Sequence, residues 1–237
     1  MQKIIKESHK EWHSILNLAF NNMDAQYLDS LKASNEWLPG MNLLLNAFSM
    51  PLSSVKYILI GESPYPRQES ANGYAFFDAA VNSIWSEKGL SKEVNRATSL
   101  RNMLKMLLFA RGDLNDDLSQ EAIAAVNKSN YVQTCEQLFN SFMQHGILLL
   151  NASLVYSPGK VAYHANQWHK FIIKLFEQLS YYNKSIELIL LGKIAEKLKS
   201  NFLKTGLLAE HPYNISFITN RSVVNFFKPL DLLLNEK

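Results

Sequence analysis

The stretch YILIGESPYPRQESANGYAFF, residues 57–77, carries four apolar residues into a glycine, an acidic residue and a serine, and then into a loop rich in proline and polar side chains. A run that is apolar at consecutive positions suits a strand buried on both faces, as in a parallel sheet. Two runs of the same kind follow, GILLLN at 146–151 and ELILLG at 187–192, and a weaker fourth, GLLAEHP, at 206–212.

Helical periodicity separates these runs. Leu100, Met103, Leu104, Leu107 and Leu108 trace one face of a helix that begins after an N-cap at Thr98 or Ser99. Trp168, Phe171, Ile172, Leu175, Phe176 and Leu179 do the same between the second and third runs. Strand and helix in alternation predict a three-layer α/β/α sandwich around a short, mainly parallel four-stranded sheet. Residues 1–50 read as a helical packing segment, with EWLPGM at 36–41 as a turn. Residues 111–130 are the most polar stretch and read as a surface excursion. With no repeats or low-complexity linkers, 1–237 is expected to form one domain.

Composition narrows the classes. The chain of 237 residues is 47% hydrophobic, enough for one sizeable core, and its net charge of +3 is a mild basic excess that fits a local phosphate-binding face. A single cysteine, Cys135, excludes an intrachain disulfide, a cysteine-rich zinc site and a four-cysteine iron–sulfur cluster. The N-terminus is interrupted by charges and lacks the apolar core of a secretory signal, and no apolar run approaches the roughly 18 residues of a membrane span. A soluble, cytoplasmic protein is expected.

In open α/β sheets the ligand crevice lies beyond the carboxyl ends of the strands. Glu62 and Ser63 follow the first strand, Asn151 ends the second and His211 follows the fourth, so four polar groups are expected to converge on one edge of the sheet.

The stretches GESPYP, NGYAFF, SLRNM, GILLLNASL, HANQWHKF, LILLG and HPYNIS, in this order over residues 55–228, resemble the motifs of the uracil-DNA glycosylases. The resemblance implies a monofunctional DNA glycosylase that needs no cofactor or metal. It flips a pyrimidine nucleotide out of DNA and hydrolyses its N-glycosidic bond, leaving an abasic site. It assigns Phe76 to stacking on the base, Asn151 to its Watson–Crick edge, Tyr65 to excluding bulk at the 5-position, and His211 to donating to O2 of the departing base. Ser99 and Ser216 match phosphate-contacting serines, and Ile215 stands where the family inserts an apolar side chain into the gap. The implied partner is DNA, acted on by a monomer.

The catalytic loop departs from the pattern. The best-known members have Gln-Asp-Pro-Tyr-His where this chain has Glu62, Ser63, Pro64, Tyr65 and Pro66, so the water-positioning aspartate is a serine. Other branches have Gly-Glu-Ala-Pro-Gly, with a glutamate one position earlier, which makes Glu62 the expected source of negative charge and leaves Asp78 and Glu69 as reserve carboxylates. In HPYNIS, Tyr213 and Asn214 replace a smaller Ser-Pro pair. Uracil is the default base, and a modified cytosine of bacteriophage DNA, excised in antiviral defence, also fits. A different class remains open: an inactive relative that uses the old groove to bind DNA or a protein.

Overall fold

The computed structural model describes residues 1–235; residues 236 and 237 of the expected domain lie outside the described residues. Its centre is a sheet of strands β1 (Tyr57–Gly61), β2 (Ile147–Asn151), β3 (Glu187–Leu191) and β4 (Lys204–Ala209), in the order β2-β1-β3-β4. All pairings are parallel. Side chains alternate across the sheet. Ile58, Ile60, Leu148, Leu150, Leu188 and Leu190 enter one core, while Leu59, Ile147, Leu149, Ile189 and Leu191 enter the other.

Helices close both faces. On the first lie α1 (His13–Asn21), α2 (Ala25–Ala33) and the long crossover helix α5 (Val161–Tyr182). Trp168, Phe171, Ile172, Leu175, Phe176 and Leu179 of α5 are all buried, as their spacing predicts. On the second lie α3 (Thr98–Arg111), α4 (Cys135–Gln144) and α6 (Arg221–Phe227). Burying one large aliphatic side chain contributes about 1.5–3 kcal/mol, so these two stripes are the main fastening of the layers. No helix among the described residues is long and apolar enough to cross a membrane.

Three local expectations change. The fourth strand starts at Lys204 and ends at Ala209, before Glu210 and His211; it is the sheet's edge, and only Leu207 of its six residues is buried, which is why its apolar signal is weak. Neither Thr98 nor Ser99 caps α3. Ala97 holds the N-cap position without a side-chain bond, because its N–H closes the short helix Lys92–Arg96 on the carbonyls of Glu93 and Val94.

The polar stretch 111–130 is pinned at several points. Leu114 and Ile123 are buried, Ser119 caps a helix at Gln120–Ala125, and Lys105 Nζ donates to the Leu118 carbonyl at 2.7 Å. That helix packs on a hairpin of two-residue strands, Trp85–Ser86 and Gly89–Leu90, too short to leave a sequence period.

The connection order places the crevice. From the central strand β1 the chain passes to β2 on one side and returns through α5 to β3 on the other. Adjacent strands that leave the sheet in opposite directions open a cleft at their carboxyl ends.

Candidate active site

A cavity of about 200 Å³ opens at that cleft. Glu62, Ser63, Tyr65 and Pro66 line it from the loop after β1, with Phe76, Ser99 of α3, Asn151 at the end of β2, and His211 beyond β4. The volume is below the roughly 300–1,000 Å³ of pockets for drug-sized ligands and suits a single flat ring. Larger depressions, of about 740 Å³ beside Tyr27 and His164 and about 850 Å³ beside Lys88 and Gln120, gather no strand ends of the central sheet. Convergence of polar groups marks the site, and size does not.

Asn151 is paired in register with Gly61, and only 3% of it is exposed. A Cβ on residue 61 would stand 2.5 Å from Asn151 Oδ1, so glycine is what lets the amide lie across the end of β1. That amide makes no hydrogen bond to the chain among the described residues and opens on the cavity. Its donor and acceptor are left for a ligand.

His211 has a defined tautomer. The Tyr213 N–H donates to its Nδ1 at 3.0 Å, so in the neutral ring the proton sits on Nε2, as a donor. Burial holds the ring's pKa below the usual 6.5. Gly192, at φ +89°, makes room for it: a Cβ there would come within 2.9 Å of His211 Cβ.

Phe76 and Tyr65 hold each other. Phe76 has φ +63°, a left-handed conformation that is costly for an aromatic residue. Its carbonyl accepts a 3.1 Å hydrogen bond from Tyr65 Oη, and the neighbouring Ala75 N–H bonds the Leu149 carbonyl of β2. Burial pushes the Tyr65 pKa well above its ordinary value, so the phenol stays a donor. The Phe76 and His211 rings lie 5.8 Å apart, tilted by 34°.

The carboxylates separate clearly. Glu62 is exposed in the cavity mouth, and no hydrogen bond ties its carboxylate to the chain among the described residues. Ser63 is half-buried, with only a marginal 3.5 Å contact from its hydroxyl to the Pro64 carbonyl. Asp78 is consumed elsewhere: 1% exposed, it accepts from Arg67 Nη2 at 3.1 Å and from the Ala80 N–H at 3.0 Å. Neither Asp78 nor Glu69 lines the cavity, so the idea of reserve carboxylates is dropped.

Outside the cavity, residues 212–216 form an exposed loop. Ile215 is 78% exposed and Tyr213 68%, unusual for such side chains in a well-ordered turn. Ser216 Oγ donates to Glu210 Oε2 at 2.5 Å, and Asn220 Nδ2 donates to Glu210 Oε1 at 3.3 Å. A phosphate would have to draw the Ser216 hydroxyl away from Glu210. Gly192, Glu210 and Asn102, which bonds this loop from α3, were not singled out by the sequence.

No protein-family model matches the chain. The uracil-DNA glycosylase of Coxiella burnetii is 27% identical over 210 residues, covering 86% of this chain and 79% of that protein. That of Campylobacter jejuni is 28% identical over 198 residues, with coverages of 81% and 73%. The crystal structure of UNG from Nitratifractor salsuginis is 44% identical, covers 99% of this chain and 97% of that one, and superposes with a TM-score of 0.92. Mimivirus uracil-DNA glycosylase, at 16% identity and a TM-score of 0.60, shares the fold. Ordered motifs, parallel sheet, base-sized cavity and end-to-end likeness agree: the chain belongs to the uracil-DNA glycosylase superfamily of DNA glycosylases.

Proposed function

We propose that the protein is a monofunctional glycosylase that extrudes uracil from DNA and hydrolyses its N-glycosidic bond, leaving an abasic site. One observation carries this reading: an unbonded amide (Asn151), an Nε2–H donor (His211) and an unbonded carboxylate (Glu62) share one base-sized cavity. An amide offers a donor beside an acceptor, the pattern of a pyrimidine edge. Phe76 supplies a stacking face. Tyr65 crowds the 5-position, which favours uracil over bases with bulky substituents there.

The chemistry is a departure of the base as an anion from a sugar that becomes positive. His211 donates to O2 as charge builds on the base. Glu62 faces the positive sugar, and Ser63 holds the attacking water. Oxygen from water adds to the anomeric carbon, the electrons of the glycosidic bond leave with the base, and the water's proton is lost. Ser99, in the first turn of a 14-residue helix, offers a phosphate contact where helix dipole and hydroxyl act together. Ser216 takes a second phosphate, and Ile215 fills the gap left by the base.

Oligonucleotides carrying uracil, thymine or a 5-substituted cytosine, treated with the protein and then with alkali, test the base. Strand scission at uracil is expected. Scission only at the modified cytosine would point instead to excision from phage DNA, and binding without scission to an inactive relative. Ile215→Ala is expected to slow excision from duplex about tenfold and to spare single strands, because only the duplex leaves a gap to fill. Equal losses on both would reject a wedge.

Acid should act through His211. Its folded pKa lies below 6.5, so on acidification the unfolded chain takes up this proton first, and stability falls as pH drops below 6.5. Once the folded ring is protonated, Nδ1 carries a hydrogen that meets the Tyr213 N–H head-on. Excision, measured as kcat/KM, is therefore expected to hold steady down through pH 6.5 and to decline only at more acid pH, below the lowered pKa of the folded ring. A profile that already falls above pH 6.5 would count against a neutral ring with a lowered pKa.

A further inference from the structure

The exposed side chains of the 212–216 loop present a physical difficulty. Ile215 and Tyr213 stand mostly in water, so their own side chains do little to fix the loop. Pro212 is buried at its base, Ser216 is tied to Glu210 and the Tyr213 N–H to His211, and the carbonyls between are held by a residue 110 positions away in sequence. Asn102 of α3, 3% exposed, donates from Nδ2 to the Pro212 carbonyl at 2.8 Å, with the Tyr213 carbonyl at 3.3 Å and the Asn214 carbonyl at 3.5 Å. Three successive carbonyls converge on one amide. Its orientation is set from the other side, where Arg101 Nε donates to Asn102 Oδ1 at 3.4 Å and Arg101 Nη1 donates to the Asn95 carbonyl at 3.1 Å.

The same helix carries Ser99 into the cavity, one turn before Asn102. Helix α3 thus joins the cavity wall to the loop, and Asn102 is the side chain by which it holds the carbonyls of residues 212–214. We infer that Asn102 is a positioning residue that sets the loop bearing Ile215 at a fixed height relative to the cavity, so that the wedge enters the duplex in step with the base entering the site. This rests on the reading of that loop as a wedge. A wedge that floats must be ordered at the moment of binding, and that cost falls on duplex DNA alone, since a single strand leaves no stack to fill.

The test is equilibrium binding, by fluorescence anisotropy, to a duplex containing a tetrahydrofuran abasic analogue and to the same strand alone. Asn102→Ala is expected to weaken duplex binding about tenfold and to leave single-strand binding within about twofold. Asn102→Asp keeps the shape and the Arg101 contact but turns a carboxylate on three carbonyls, and is expected to lose more. Should alanine lower the melting temperature, Asn102→Ser, smaller but still polar, carries the same comparison.

In an Ile215→Ala background, Asn102→Ala is expected to add less than about a further twofold, because residues acting through one another are not additive. If Ile215→Ala weakens duplex binding and the two losses multiply, or if Asn102→Ala weakens both DNAs equally, the positioning role is overturned while the wedge stands. If Ile215→Ala binds the duplex as tightly as wild type, the wedge reading falls and the positioning role falls with it.

Discussion

Glu62→Gln should slow single-turnover excision by at least about two decades while leaving thermal stability nearly unchanged. Glutamine keeps the size and one acceptor and removes only the charge. A unit charge about 4 Å from a positive sugar is worth about 4 kcal/mol at an effective dielectric of 20, but only about 1 kcal/mol in bulk water. Glu62 is exposed in the free protein, so the larger figure applies once DNA covers the cavity mouth and excludes water. The carboxylate takes part in no hydrogen bond to the chain among the described residues, which is why its loss should not loosen the fold. Ser63→Ala removes a hydroxyl and should cost much less. A wild-type rate for Glu62→Gln, or a greater loss at Ser63 than at Glu62, would reject Glu62 as the source of charge and leave water positioning by Ser63 as the better account.

His211→Ala and Asn151→Ala should each lower single-turnover excision by about two to three decades, the usual consequence of removing one preorganised donor from a developing anion. Their effects on stability should differ. His211→Ala gives up the acceptor of the Tyr213 N–H and so loses a little stability. The Asn151 amide opens on the cavity and bonds nothing in the chain among the described residues, so alanine there should melt near the wild-type temperature. Activity lost with stability retained separates a functional amide from a structural one. Near-wild-type excision by both variants would reject the site.

How much of this was legible in the sequence depended on how local the cause was. β1, β2 and β3 announce themselves because each is buried on both faces, so their central residues are apolar at consecutive positions. β4 is an edge whose solvent side accepts Lys204, Gly206 and Leu208 alike, and its pattern fades accordingly. The N-cap expected at Thr98 or Ser99 was misread because capping there is settled by the preceding short helix, which closes on Ala97, and not by the hydroxyls of Thr98 and Ser99.

The site follows the same rule. Glu62, Ser63, Asn151 and His211 lie next to strand ends, and strand ends could be placed. Phe76 and Ser99 were reached only through the resemblance, since nothing local shows that residue 76 turns left-handed or that residue 99 faces the cavity. Asn102 stood inside a recognised motif, yet its role was hidden, because its partners lie more than a hundred residues away. Glu210 lay inside the fourth run without a role, and only the fold shows it holding both Ser216 and Asn220.

The most direct measurement is product analysis by mass spectrometry after incubating the protein with a duplex that holds one uracil. Release of free uracil together with one intact abasic strand, abolished or nearly so in Asn151→Ala, is the result expected. A duplex that is bound and recovered with its uracil in place would contradict the account.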